Sequence, residues 1–192
     1  MNRILYFLLA FTLISFTAIA GDKNKKATAV KAEAVDSLEI NWLTLDQVQV
    51  EMKKKPKKVF IDVYTNWCGW CKVMDKKTFS HPEVIKYMNK NFYAVKFNAE
   101  TQDSIRFMGK MWGFVPQYRA NTLAAELMRG KMSYPTSVIL EENFQNPQPI
   151  PGYLDVPTIE KVLKYLGENI YKTQKYEDFD KSFTPSWRQA QG

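Results

Sequence analysis

Apolar and polar residues along the chain follow the periods of strands and helices in turn. Runs rich in β-branched and aromatic residues predict strands at 59–65, 92–98 and 136–140. A short edge strand is predicted at 148–150, where a proline is tolerated. The run at 59–65 is apolar almost throughout, which is typical of a strand buried on both faces.

Helical patterns lie between and after these strands. Thr44 and Gln47 have the spacing of a capping box, and Ser80 and Glu83 repeat that spacing, with Pro82 acceptable in the first turn. Further helices are predicted at 68–78, 103–112, 122–129 and 157–171. Strands that alternate with helices predict an α/β fold.

The first 20 residues differ from the rest. Arg3 precedes an almost unbroken apolar run, and Ala18 and Ala20 are the small residues that a signal peptidase reads. The run falls short of the roughly 20 residues that span a bilayer comfortably. We therefore favour a signal peptide at 1–20, cleaved after Ala20, over a retained membrane anchor, and expect a protein that is periplasmic or otherwise exported.

The remaining chain is predicted to have three parts. Residues 21–37 are rich in lysine and alanine and lack aromatic residues, which is typical of a flexible linker. Residues 38–171 hold the predicted strands and helices and form one domain. Residues 172–192 are polar with scattered aromatic residues and are expected to be a loosely packed tail.

Charge and composition exclude some functions. The 192 residues carry a formal net charge of +7, and 45% of them are hydrophobic, which suits a globular core. The lysine clusters are interpreted as a solvated face and a solvated tail, so no nucleic-acid partner is expected. The chain has no glycine-rich phosphate-binding motif, so nucleotide binding has no support.

The chain has two cysteines, Cys68 and Cys71, directly after the strand at 59–65 and at the start of a predicted helix. A disulfide that closes so short a loop removes little entropy from the unfolded chain, so a redox role is favoured over a structural one. Backbone N–H groups at a helix start stabilise a thiolate, and the thiolate is the nucleophile. Cys68 is therefore the predicted nucleophile and Cys71, deeper in the helix and more buried, the resolving thiol.

Metal binding is the weaker interpretation of this motif. Structural zinc takes four ligands, whereas the chain offers two cysteines and the single His81, which is interpreted as a residue of a helix start. A c-type haem site needs a histidine where Lys72 stands. We expect no metal or other cofactor, and a copper-handling role stays open as an alternative.

Asp62 is the one charged residue in the strand at 59–65 and lies six residues before Cys68. Desolvation of a carboxylate raises its pKa, which would make Asp62 a proton acceptor for Cys71. The alternative is an aspartate that is paired for structural reasons.

Taken together, these features resemble the thioredoxin superfamily over roughly residues 38–171. Asp62 stands where thioredoxins carry a buried carboxylate, Tyr134-Pro135 looks like the cis-proline turn of the family, and Gly152 matches a glycine near its site. Within the superfamily, the WCGWCK site at 67–72 and the insertion that follows resemble those of exported bacterial thioredoxin-like proteins. The resemblance implies a central mixed sheet flanked by helices.

The same resemblance implies an activity and a site. The activity is thiol–disulfide exchange with protein thiols and disulfides, as a reductase or isomerase rather than a primary oxidant. The catalytic residues would be Cys68, Cys71 and Asp62, and the backbone of Tyr134 would pair with the substrate backbone. Residues expected to contact substrate are Trp67, Gly69, Trp70, Tyr134, Pro135 and Gly152. A monomer is expected, with a membrane protein as electron donor.

Two departures from the family leave questions open. Gly69-Trp70 replaces the Gly-Pro of thioredoxins between the cysteines, so the reduction potential is undetermined. A helical insertion at about 101–133 precedes the cis-proline strand. It is interpreted either as a platform that contacts the substrate or as helices that make no contact with the substrate. The alternative function is a thioredoxin-scaffold binding module.

Overall fold

The structure is a computed structural model that describes residues 39–187. The predicted signal peptide at 1–20, the predicted linker at 21–37, the first domain residue Leu38 and the last five residues of the tail lie outside the described residues. Within the described range, no helix is long and apolar enough to cross a membrane.

Nine strands and six α-helices form in the described range. The strands are β1 Trp42–Leu43, β2 Lys58–Tyr64, β3 Phe92–Asn98, β4 Ile105–Phe107, β5 Lys110–Trp112, β6 Phe114–Val115, β7 Ala120–Asn121, β8 Thr136–Leu140 and β9 Gln148–Pro151. The helices are α1 Leu45–Lys54, α2 Gly69–Lys77, α3 Pro82–Asn91, α4 Thr122–Leu127, α5 Val156–Gly167 and α6 Tyr176–Ser182. Short 3₁₀ helices lie at Glu142–Phe144 and Ile170–Lys172.

The central sheet has five strands in the order β1-β3-β2-β8-β9. β1 and β2 run parallel to β3, whereas β8 is antiparallel to both β2 and β9. This is the mixed sheet flanked by helices that the resemblance implied, and the predicted strands at 92–98 and 136–140 are confirmed.

Strand β2 separates two cores because successive side chains point to opposite faces. Phe60 packs on one face with residues of α2, α3 and α5, and Ile61 packs on the other with residues of α1 and α4. The segment that carries the cysteines therefore follows a strand that is buried on both faces over most of its length.

The two predicted capping boxes have different outcomes. Gln47 N–H donates to Thr44 Oγ1 at 3.1 Å and Thr44 N–H donates to Gln47 Oε1 at 2.8 Å, as expected. The second capping box is wrong, because the Ser80 hydroxyl donates to the Lys76 carbonyl at 2.6 Å and His81 is the N-cap of α3. Pro82 does occupy the first position of that helix.

The helix predicted at 103–112 is wrong. Those residues contain the antiparallel hairpin β4–β5, whose turn places Met108 at φ 53° and Gly109 at φ 76°. Two successive positive φ values match a tight hairpin turn, and glycine adopts such a conformation without steric cost. A second hairpin, β6–β7, and the predicted helix α4 complete the insertion.

The segment after α5 is not a loosely packed tail in its described part. Helix α5 ends at Gly167, earlier than expected, and Trp187 is 8% exposed within the core of α3 and α5. Glu160 is fully buried and accepts backbone hydrogen bonds of 2.8 Å from Ser186 and Trp187. This carboxylate holds the segment on the domain because it satisfies two otherwise unpaired N–H groups.

Candidate active site

The two cysteines lie where β2 passes into α2. The Cys68 N–H donates to the Thr65 carbonyl at 3.2 Å, which turns the chain into the helix, and Cys68 is the N-cap of α2. Cys68 and Cys71 form a disulfide, and the Cys71 N–H donates to Cys68 Sγ at 3.0 Å. Both cysteines are 4% exposed, so the greater burial expected for Cys71 is not seen in this oxidised state.

The hydrogen bond to Cys68 Sγ distinguishes the two sulfur atoms. An N–H group at a helix start stabilises negative charge on the sulfur that accepts from it. Sequence position alone suggested this contact, and the structure places it at Cys68.

Two exposed tryptophans flank the disulfide in sequence. Trp67 is 63% exposed and Trp70 is 61% exposed, which is high for such large apolar side chains. The Trp67 ring contacts the Tyr134 ring edge-on at 5.8 Å, and the Trp70 ring lies 5.4 Å from that of Tyr153. Exposed aromatic residues grouped in this way are typical of a protein-binding surface.

Pro135 and Gly152 meet at the start of β8. The Tyr134–Pro135 peptide bond is cis, as the resemblance implied. Gly152 N–H donates to the Pro135 carbonyl at 2.9 Å, and Gly152 has a φ of 97°, which favours glycine. The contacts of Trp67 with Tyr134 bring this turn next to the cysteine segment.

Asp62 is 1% exposed, and burial raises its pKa to about 6, although Lys96 acts in the opposite direction. Lys96 Nζ donates to Asp62 Oδ2 at 3.0 Å. No described residue pairs with the buried Oδ1. The pKa of Asp62 is raised by burial as expected, and the carboxylate is also paired with Lys96, which makes that rise smaller.

Lys96 connects Asp62 to the helix of the cysteines. Its ammonium group also contacts Asp75, which is four residues after Cys71 on α2 and therefore on the same helix face. Asp62 shares the face of β2 that carries Phe60, and that face packs against Met74 of α2. Asp62 thus lies on the α2 side of the sheet.

Sequence reasoning missed Lys96 and Asp75. The signal for Lys96 was present, because it is the one charged residue of β3. Burial lowers its pKa, but the carboxylates of Asp62 and Asp75 outweigh this, and the pKa of Lys96 lies above its usual value. The site therefore holds a permanent positive charge beside Asp62.

A groove of about 350 Å³ adjoins the cysteine segment. It is lined by Trp67, Glu100, Tyr118, Arg119, Met132 and Tyr134. Trp67 Nε1–H donates to both carboxylate oxygens of Glu100 at 3.0 Å, which fixes one wall. Sequence reasoning did not identify Glu100, Tyr118, Arg119 or Met132. These residues come from three separate segments of the chain, which meet only in the folded protein.

Comparison with known protein families shows which family this chain belongs to. The family model Thioredox_DsbH, described as a protein of unknown function, DUF255, matches residues 25–176. The chain belongs to this family.

Other proteins share shorter segments or the fold with this Thioredox_DsbH protein. The thiol:disulfide interchange protein DsbD of Escherichia coli K12 is 50% identical over 42 residues, 22% of this chain. This chain spans only a small part of the length of its curated relatives. The matched segment is 9% of the length of one relative and 7% of the length of DsbD.

Two solved structures show the same fold. A thioredoxin-fold protein from Helicobacter pylori aligns with a TM-score of 0.51 and 20% identity, over 65% of this chain and 78% of that one. A DsbH oxidoreductase aligns with a TM-score of 0.51 and 11% identity, over 78% of this chain and 96% of that one.

This member of the Thioredox_DsbH family combines a thioredoxin-like fold with a CxxC pair at a helix start, an arrangement that can exchange thiols and disulfides. In residues 39–187, no three histidine, cysteine, aspartate or glutamate side chains group as a metal site would require.

Proposed function

We propose that this Thioredox_DsbH protein reduces or isomerises disulfides in protein substrates, with Cys68 as nucleophile and Cys71 as resolving thiol. The observation that carries the proposal is the Cys68–Cys71 disulfide at the start of α2, where the Cys71 N–H contacts Cys68 Sγ. That contact stabilises the Cys68 thiolate over the Cys71 thiolate.

The exchange has two steps that balance in atoms and electrons. The Cys68 thiolate of the reduced protein attacks one sulfur of a substrate disulfide, and the other substrate sulfur leaves as a thiolate that takes up a proton. Cys71 then loses its proton and attacks Cys68 Sγ. The Cys68–Cys71 disulfide forms, and the second substrate thiolate leaves, so the substrate has gained two electrons.

Asp62 is the proposed proton acceptor for Cys71. Its pKa of about 6 makes it ionised at neutral pH yet more basic than an ordinary aspartate. A catalytic base works best when its pKa is near the working pH. The position of Asp62 on the α2 side of β2 supports this role, directly or through water.

Exposed groups around the disulfide are the proposed substrate contacts. Trp67 and Trp70 offer apolar surface beside the cysteines, and the backbone of Tyr134 would pair with the substrate backbone. Pro135, Gly152 and Gly69 would shape the surface on which the substrate lies.

An exported location and a membrane dithiol donor complete the proposal. The amino-terminal apolar run supports export. The periplasm is kept oxidising, so a reductase there needs electrons from a thiol protein in the membrane.

Insulin reduction with dithiothreitol tests the activity, and the reduction potential of the Cys68–Cys71 pair tests its direction. We expect catalysed insulin precipitation and a potential well below about −120 mV, the value of a strong thiol oxidant. A protein that binds partners but leaves insulin intact would instead be a binding module. A potential near −120 mV would overturn the reductase assignment.

A further inference from the structure

We propose that the groove beside Trp67 binds the part of a protein substrate that flanks its reacting cysteine, and that Arg119 gives this groove a preference for acidic flanking residues. The inference rests on the proposed disulfide exchange and names the substrate class of that same site. Arg119 would be a specificity-determining residue supplied by the insertion.

Backbone hydrogen bonds hold the insertion against the site. The loop with Tyr118 and Arg119 joins β6 to β7, and the Asn121 N–H at its end donates to the Ala99 carbonyl at 2.7 Å. The Ala99 N–H in turn donates to the Tyr64 carbonyl, at the end of β2, at 2.8 Å. The loop is thus tied to the strand that leads into the cysteines.

The groove offers apolar surface for a polypeptide. Trp67 and Tyr134 meet at an interplanar angle of 85°, and Tyr118 is 73% exposed. Met132 is 37% exposed, and a thioether adapts to side chains of different shape. Aromatic residues of this kind supply much of the binding energy at protein interfaces.

The two charged residues of the groove, Glu100 and Arg119, differ in whether their charged group already has a hydrogen-bond partner. Both carboxylate oxygens of Glu100 accept from Trp67 Nε1–H, so this anion already has a partner. Arg119 is exposed, and none of residues 39–187 forms an ion pair or hydrogen bond with its guanidinium. A guanidinium binds carboxylates in a bidentate geometry, so an acidic side chain is its natural partner.

The net charge of the chain acts in the same direction. The formal net charge of +7, of which Arg3 alone lies in the predicted signal peptide, stays positive in the exported protein and attracts anionic partners over a distance of about a Debye length. Arg119 would convert this general attraction into a preference at one position of the substrate.

The test uses three synthetic peptides that share a cysteine capped as a mixed disulfide with thionitrobenzoate. They carry glutamate, serine or lysine at the positions flanking the cysteine. Reduced protein exchanges with the mixed disulfide, and the coloured thionitrobenzoate released gives the second-order rate constant. Each rate constant is divided by that of the same peptide with dithiothreitol, which removes differences in intrinsic reactivity.

We expect the wild-type protein to prefer the glutamate peptide over the lysine peptide by about two- to fivefold, the range of an exposed ion pair. Arg119→Asn should bring this ratio near one, and asparagine tolerates the φ of 49° at this position. Arg119→Glu should reverse the preference. High salt should shrink the wild-type ratio because exposed charges are screened.

The matched control is Lys86→Glu, an identical change of charge on the exposed side of α3 and away from the groove. It should keep the wild-type ratio. A ratio near one in the wild-type protein, or an equal change in Lys86→Glu and Arg119→Glu, would overturn the inference while the disulfide exchange stands. Failure to release thionitrobenzoate even from the serine peptide would instead overturn the proposed function.

Discussion

Lys96 and Asp62 form an ion pair across the neighbouring strands β3 and β2, with Nζ 3.0 Å from Oδ2. The pKa of Asp62 is nevertheless raised to about 6, because its burial outweighs the attraction of the ammonium group. Ionised Asp62 is therefore a cost to the folded state at neutral pH, which is typical of a group kept for function rather than for stability.

We predict that Asp62→Asn stabilises the oxidised protein at pH 8. The folded pKa lies above the unfolded value of 3.8, so the contribution of Asp62 to stability is full below about pH 4 and is lost as the pH rises through about 6. A shift of this size sets an upper limit of about 3 kcal/mol at pH 8, and we expect a gain of about 1–3 kcal/mol. Denaturant unfolding at pH 4 and pH 8 measures it, and a loss of stability at pH 8 would contradict the assigned cause.

The same substitution should slow the release of substrate from Cys68 more than the initial attack. Without the carboxylate, Cys71 lacks its proton acceptor, and we expect at least about a tenfold loss in the release step above pH 6. Stopped-flow kinetics separates the two steps. Equal slowing of both, or of neither, would show that Asp62 has another role.

Cys68, at the start of α2, should act as the nucleophile, and Cys71, one turn further along, should act as the resolving thiol. Cys71→Ser should trap substrates as mixed disulfides on Cys68, because no thiol remains to release them, whereas Cys68→Ser should trap few or none. Alkylation of the reduced protein by iodoacetamide should modify Cys68 at lower pH than Cys71. Earlier alkylation of Cys71, or better trapping by Cys68→Ser, would make the proposed mechanism wrong.

Glu160→Ala should destabilise the domain by about 2–4 kcal/mol. The change removes the acceptor of the Ser186 and Trp187 N–H groups and leaves Trp187 without its anchor on α5. Urea unfolding measures the loss, with exposed Glu126→Ala as control, expected within about 0.5 kcal/mol of wild type. A loss no larger than that of the control would mean that the carboxylate does not hold this segment.

The exported protein is predicted to begin at Gly21. The charged start, the apolar run and the alanines at 18 and 20 match a signal peptide. Intact-mass measurement of the protein recovered from the periplasm checks the cleavage position. A mass that retains residues 1–20 would rule out cleavage.

The amino-acid sequence by itself determined the features that depend on local patterns. The strands at 92–98 and 136–140 follow from runs rich in β-branched and aromatic residues, and the capping box of α1 follows from two residues three apart. The Cys68–Cys71 site could also be predicted, since a CxxC motif between a buried strand and a helix has few other uses. Pro135 was placed by resemblance to a family.

Only the tertiary structure decided the rest. The local pattern predicted a helix at 103–112, but strand pairing on either side of Gly109 makes residues 105–112 a hairpin. Lys96 reaches both Asp62 and Asp75 because β2, β3 and α2 converge there. Such contacts depend on strand order, register and packing between distant segments, and no local pattern of residues specifies these.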